Sequence, residues 1–321
     1  MQVITTIPLI VSESECIKSL DACRRNGINN FRINTAKIKD ISSFEKIERI
    51  YNLIKEKQSD STIAFDIPFP GRNVRLYFEN MKMTANKNEC ITFQNINRDK
   101  PNYIDVQDCS KVFLQDRYYY YQDGILKLSV AEVEKEYVTF MFNNNCQIRS
   151  GKAISCRNST DTVLDQMIVK CINSLKPDAL WLSFVEDTSF ISDLKRSFDY
   201  EPQLFMKIET MEGIRNLDNI IKVADGIVNA RGDLALNVPI KDFLDVQRII
   251  AAKTKACFKK ICFATGYLDS LYENSFPSRS DLTDLLFAYE LGCDSIMLNA
   301  PLFYPERIER VISVIKECWN M

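Results

Sequence analysis

The feature that most constrains this chain is a repeated beat, a short apolar run followed by a stretch of helical period, met eight times. The runs are Val3–Ile7, Phe31–Asn34, Thr62–Ile67, 179–184 (ALWLSF), 204–209 (LFMKIE), 226–230 (GIVNA), 260–265 (KICFAT) and 295–299 (SIMLN). Helices are predicted over Ser14–Asn26, with Cys16, Ile17, Leu20 and Cys23 on one face ahead of Gly27, and from Ser43 onward. Others are predicted at Val163–Leu175, before 204, at 212–223, 239–255 and Asp281–Leu291, and from Pro305. Strands alternating with helices across short connections imply a parallel sheet covered by helices. Between Gly71 and Cys156 the beat lapses into short runs such as ILKLSV and YVTFMF, and Gln122-Asp123-Gly124 reads as a hairpin turn. The expected fold is therefore α/β, a TIM (β/α)8 barrel from 1–70 and 157–321, with an all-β module at 71–156 inserted after strand three. Without the insert the length is close to the ~250 residues typical of that barrel. An open doubly wound sheet would use fewer strands and a Gly-rich first turn.

Composition then removes several chemistries. The 321 residues include no histidine, which excludes Ser-His and Cys-His pairs, histidine metal sites and histidine phosphocarriers. The 11 cysteines are scattered without CxxC pairs and fall mostly in apolar runs, as Cys171, Cys262 and Cys293 do, so reduced buried thiols and a cytoplasmic location are expected. A net charge of -2 without a basic block gives no nucleic-acid footprint. No apolar stretch suits a bilayer, and MQVITTIPLIV is too brief for a signal peptide and reads as a buried strand. Neither a Walker A loop nor GxGxxG is present.

In such a barrel chemistry belongs where strands end. Polar residues collect there: Arg32 and Asn34 on the second strand, Asp66 on the third, Ser183 on the fourth, Lys207 and Glu209 on the fifth, Asp233 after the sixth and Thr265 on the seventh. Lys207 and Glu209 are two apart and project from the same face of an apolar strand, which is costly unless they pair or meet a ligand. Asp233 comes one unit later, so its carboxylate is expected beside that of Glu209, a pair suited to Mg²⁺ or Mn²⁺. A structural salt bridge for the first two and a helix N-cap for Asp233 are the alternatives.

These residues resemble the pyruvate kinase family. The block 204–239, LFMKIETMEGIRNLDNIIKVADGIVNARGDLALNVP, is similar to that family's catalytic segment. ICFATGYLDS with FPSRSD, FRINTAK, IAFDIPFPG and YYYYQDGILKLSV resemble its other blocks, the last its mobile lid. The resemblance implies phosphoryl transfer between phosphoenolpyruvate and ADP, with divalent metal and often K⁺. It implies that Arg32 holds the phosphoryl group, that Lys207 stabilises its charge, and that Glu209 and Asp233 bind the metal. The backbone of Arg231, Gly232 and Asp233, with Ser183 nearby, would receive the substrate, and Thr265 would take part in proton transfer. Asp123, Lys152 and Lys37 would approach the nucleotide, and Asn34 and Asp66 would keep the monovalent-cation site. The family's C-terminal regulatory and oligomerising domain is expected to be absent, which would leave the face of Ile308, Val311, Ile312 and Ile315 for packing or self-association.

The sequence also departs from the family. Ala36 and Ile67 stand where it has Ser and Thr, which weakens the K⁺ site. Lys37 replaces a histidine and Gly266 a glutamine, while Asn299-Ala300-Pro301 replaces Ser-Gly-Glu. Lys37 or Arg72 would place a fixed cation nearby. A specialised kinase with changed substrate preference is the expected function. A metal-dependent lyase or aldolase stabilising a pyruvate enolate, and a catalytically silent binding protein, are the alternatives.

Overall fold

A computed structural model describes residues 1–38, 40–68, 73–95, 100–115, 117–122, 124–157 and 164–319, with only the backbone of Lys37, Asn73 and Arg157. The chain divides into two compact units, Met1–Pro70 with Leu164–Met321, and Gly71–Val163.

The first unit is a closed barrel of parallel strands: β1 (Gln2–Thr6), β2 (Asn30–Asn34), β3 (Thr62–Ile67), β4 (Ala179–Leu182), β5 (Gln203–Ile208), β6 (Gly226–Ala230), β7 (Lys260–Ala264) and β8 (Ser295–Leu298). Neighbours in sequence are neighbours in the barrel, and β8 closes on β1. The main covering helices are α1 (Glu13–Arg25), α2 (Ile41–Lys57), α3 (Gln166–Leu175), α4 (Ile191–Arg196), α5 (Met211–Arg215), α6 (Leu217–Val223), α7 (Arg231–Asn237), α8 (Phe243–Ala256), α9 (Arg279–Glu290) and α10 (Pro305–Trp319).

Local chemistry sets the helix ends. Asp40 and Ser43 form a capping box on α2, and Ser278 and Asp281 form another on α9. The helix predicted from Val163 starts at Gln166, where the Asp165 side chain accepts the Met167 amide. The one predicted over 212–223 breaks at Asn216 into α5 and α6, and there the Asn216 side-chain amide donates to the Glu186 carbonyl at 2.7 Å. The predicted 239–255 helix opens as a 3-10 turn over Ile240–Asp242.

Alternation along the strands sorts the core. Leu204, Met206 and Ile208 face the helices in the large outer core, whereas Phe205 joins Ala64, Trp181, Val228, Ala230, Cys262, Ala264 and Met297 inside the barrel. Gly226 serves this interior, because a Cβ there would run into the Phe205 ring. At the foot, Asp178, Asp225 and Asp294 each precede a strand and accept an amide of the strand before it: Ile63 at 2.8 Å, Leu204 at 2.8 Å and Ile261 at 2.7 Å. A cavity of about 520 Å³ opens at this foot beside Gln2, Trp181, Gln203 and Lys260.

The last helix does not leave an apolar face. Ile308, Val311, Ile312 and Ile315 are buried within the unit, with α10 packed on α1, so the self-association expected through them lacks a surface. The free cysteines Cys16, Cys23, Cys171, Cys262 and Cys293 are buried, as their apolar surroundings imply; Cys257 is exposed.

The second unit is an antiparallel-rich closed barrel. Its strands run in the order Tyr137–Phe142, Cys90–Asn95, Tyr103–Ile104, Asn73–Tyr77, Lys152–Arg157, Tyr118–Tyr121 and Leu126–Val133, with Lys82–Ala85 and Cys146–Arg149 pairing beside them. Phe93, Phe113, Phe140 and Tyr119 pack edge-to-face in its core. Along Tyr118–Tyr121 the burial alternates, with Tyr119 and Tyr121 inside, so that run is a strand with two faces.

Candidate active site

Parity carries the site. In β5 the interior face that holds Phe205 next presents Lys207 and then Glu209, so an apolar column ends in a charged one. In β3 the same face runs from Ala64 to Asp66, which sits in register with Asn34 of β2 and Trp181 of β4. The charges therefore form the top layer of the barrel interior.

There the structure gathers Arg32, Asp66, Ser183, Lys207 and Glu209. Arg32 donates to Asp66 through Nε at 2.9 Å and Nη2 at 2.6 Å, and through Nη1 to Thr6 Oγ1 at 3.2 Å. The Lys207 ammonium lies 3.0 Å from Ser183 Oγ, 3.0 Å from Glu209 Oε1 and 3.4 Å from Asp66 Oδ2. Ser183 in turn donates to Asp66 Oδ1 at 3.1 Å. Glu209 Oε2 accepts the Phe184 amide at 2.5 Å, from a turn in which Phe184 has φ +53°.

Burial dominates the electrostatics. Desolvation alone would push the Lys207 ammonium down, but Asp66 and Glu209 reverse this and hold it above its ordinary range. Burial would likewise raise Asp66, yet Lys207 and Arg32 hold it below the usual carboxylate range. Glu209 goes the other way: burial pushes it up to about 7, Asp233 adds to the rise, and Lys207 with the Phe184 amide only partly opposes it.

Asp233 lies in the first turn of α7, and Gly232 before it packs against Thr265, where a Cβ would stand 3.0 Å from Thr265 Cγ2. The predicted seventh strand stops at Ala264, and Thr265 follows at φ +77° with Gly266 at +84°. Among the described residues no three His, Cys, Asp or Glu side chains are grouped to hold a metal. Glu209, buried at the barrel mouth, and Asp233, in the first turn of α7, supply the carboxylate donors that suit a divalent ion taking one or two carboxylates and completing its shell with water and substrate oxygens. Asn34 Oδ1 caps the 3-10 turn at Ala36 (3.0 Å), and the Asp66 carboxylate is engaged by Arg32, Lys207 and Ser183. Both residues assigned to a monovalent cation thus already use side-chain oxygens within the chain. Lys152 is exposed on the second unit, and its amide donates to Tyr121 Oη at 3.0 Å. Asp123, Arg72 and the Lys37 side chain lie outside the described residues.

Sequence reasoning missed Thr6, Thr35, Asp269, Asp284 and Tyr267. Thr6 ends β1 and was legible by the same strand-end rule. Thr35 Oγ1 donates to the Asp66 carbonyl at 2.8 Å, Asn299 donates to Asp269 at 2.7 Å, and Arg231 pairs with Asp284 at 2.5 Å; these contacts needed the fold.

A closed parallel barrel whose interior ends in buried ammonium, guanidinium and carboxylate groups at the C-terminal rim defines the class of (β/α)8 barrel proteins with a polar site at the mouth. A family model described as "Pyruvate kinase, barrel domain" matches residues 1–303. Pyruvate kinase 2 of Saccharomyces cerevisiae is 26% identical over 314 residues, 91% of this chain and 61% of that protein. Pyruvate kinase of Clostridium perfringens is 28% identical over 298 residues, 86% of this chain and 60% of that protein, and pyruvate kinase of Schizosaccharomyces pombe is 32% identical over 211 residues, 63% and 41%. The chain belongs to the pyruvate kinase family, and it spans about six tenths of the length of the first of these relatives. No helix among the described residues is long and apolar enough to cross a membrane.

Proposed function

We propose that this chain is a phosphotransferase that moves a phosphoryl group between a nucleotide (ADP or ATP) and phosphoenolpyruvate, pyruvate or a related small carboxylate. The observation that carries the reading is the buried Lys207 ammonium, held charged between Asp66 and Glu209 at the barrel mouth. A phosphoryl group in a loose transition state spreads negative charge over its oxygens, and a preorganised cation in a water-poor site stabilises that charge without reorganising. Lys207 and Arg32 would be the two cations that do this, with Asp66 and Ser183 bonded to Lys207 and Asp66 and Thr6 bonded to Arg32. The first turn of α7, Arg231 to Asp233, would receive the substrate carboxylate, and Thr265 beside Gly232 would hold a proton near the enolate.

Glu209 and Asp233 would hold Mg²⁺ or Mn²⁺. Once bound, such an ion neutralises charge on phosphate and enolate oxygens. Burial raises the proton affinity of Glu209, and the Lys207 ammonium opposes that rise. The assignment of Asp123, Lys152 and Lys37 to the nucleotide, and of Asn34 and Asp66 to K⁺, rests on the resemblance alone. A changed substrate preference is supported by the rim, where Asn299 reaches Asp269 and Gly266 follows Thr265.

Phosphorus NMR of the purified protein with Mg²⁺, K⁺, phosphoenolpyruvate and ADP, and then with ATP and candidate small acids, tests the reading. Turnover in one mixture that Lys207→Met reduces 10²-fold or more supports it. No turnover in any mixture, or turnover indifferent to Lys207, sinks it.

A further inference from the structure

The turn at Thr265 needs an explanation that the site residues alone do not supply. A β-branched residue at φ +77° followed by a glycine at +84° is an outlier that persists only where its surroundings over-determine it. One constraint is Gly232, packed so tightly on the Thr265 methyl that a Cβ there would lie at 3.0 Å. The second constraint lies two residues further on. Tyr267 is fully buried, and the Arg231 guanidinium stacks over its ring with the central carbon 4.6 Å from the centroid. Arg231 is itself nearly buried and bonds Asp284 of α9 at 2.5 Å. Arg231 thus starts α7, touches the residue after the strained turn, and is tied to a helix that is anchored independently by its own capping box.

The geometry points to the Asp284–Arg231–Tyr267 chain as a strut that sets Thr265 against the first turn of α7, with Arg231 and Asp284 as positioning residues. The inference rests on the proposed reading in one respect: it gives that turn and Thr265 to the substrate carboxylate and the proton step. A planar, forked guanidinium suits the task because it stacks and pairs at once, which a lysine cannot do.

The test uses Asp284→Asn and Arg231→Lys in the full chain, with amide hydrogen exchange read on segments 229–235 and 262–268 and, as reference, on 30–36 and 62–67. The strut predicts that each variant speeds exchange at least tenfold in the first two segments together and leaves the reference segments unchanged. It also predicts that the double variant is no worse than the worse single one, because both break one contact. In turnover, kcat should fall about 10- to 100-fold while the nucleotide KM stays within twofold, as expected for a reacting group displaced by an ångström. Unchanged exchange in both segments, exchange that rises equally in all four, or additive effects would overturn the inference. A wild-type protein without turnover would sink the phosphotransferase reading but leave the exchange result to decide the strut.

Discussion

At the foot of the parallel barrel Asp178, Asp225 and Asp294 stand exposed, one residue before a strand, each holding a neighbouring backbone amide. At the mouth Asp66 and Glu209 are 4% and 1% exposed and face an ammonium or a guanidinium instead. The foot carboxylates complete hydrogen bonds that a sheet end needs, and water screens their charge. The mouth carboxylates are taken out of water and are stable only as members of a set with Arg32, Lys207 and Ser183. Acidic residues at the two ends of the same barrel therefore do different work, and their partners decide which.

The largest effect that sharpens this contrast is catalytic. Lys207→Met removes the mouth cation and should cost at least 10²-fold in kcat under the proposed reading, whereas Asp225→Asn at the foot should leave kcat within twofold. Initial rates for the two variants side by side measure the difference. Equal losses would mean that the mouth is merely structural.

Stability gives the next effect. Asp66→Asn leaves Arg32 and Lys207 buried together without their shared counter-charge, and breaking a buried ion set this way typically costs about 3–5 kcal/mol. Urea unfolding at pH 7 measures it. The Asp66 carboxyl is held below its usual value of 3.8, so its contribution is full above that pH and disappears as the pH falls through the folded value. The gap between wild type and variant should narrow as the pH falls below 3.8, and a gap that does not change with pH would mean that packing, not charge, is lost.

Glu209 carries the opposite sign. Its folded value, about 7, lies above the ordinary 4.5, so the fold favours the protonated form, and that stability is full below about 4.5 and lost as the pH rises through 7. Without divalent ions, Glu209→Gln should match the wild type near pH 4 and exceed it by up to a few kcal/mol at pH 8. A difference that does not vary with pH would show that Lys207 fully offsets burial, leaving Glu209 at its ordinary value in the fold.

Much of this fold was legible because its periodicities are strong. The eight-fold beat, the column Lys207-x-Glu209 and the burial of Cys171 and Cys262 follow from alternation and apolar context alone. The strand ends were harder, because Thr265 was read as the last residue of an extended run, whereas it has a positive φ and packs on Gly232, 33 positions earlier in sequence. Asp284 sits on a predicted helix among other polar residues, and nothing local marks it as the partner of Arg231. The foot aspartates were overlooked for a different reason: an acid before a strand reads as ordinary loop composition, although Asp178-Ala, Asp225-Gly and Asp294-Ser recur ahead of alternate strands.

That recurrence yields the smallest and cleanest prediction. Asparagine keeps a carboxamide oxygen where aspartate has a carboxylate oxygen, so Asp294→Asn can still accept the Ile261 amide now bonded at 2.7 Å. What is lost is only the extra strength of a charged acceptor in an exposed place, about 1 kcal/mol or less. Asp294→Ala removes the acceptor itself and should cost more, about 1–3 kcal/mol, because the amide at the strand end then competes for water at a partly covered site. Urea unfolding of the two variants ranks them. If Asp294→Asn were as costly as Asp66→Asn, the foot aspartates would be acting through charge, and the division between the two ends of the barrel would fall.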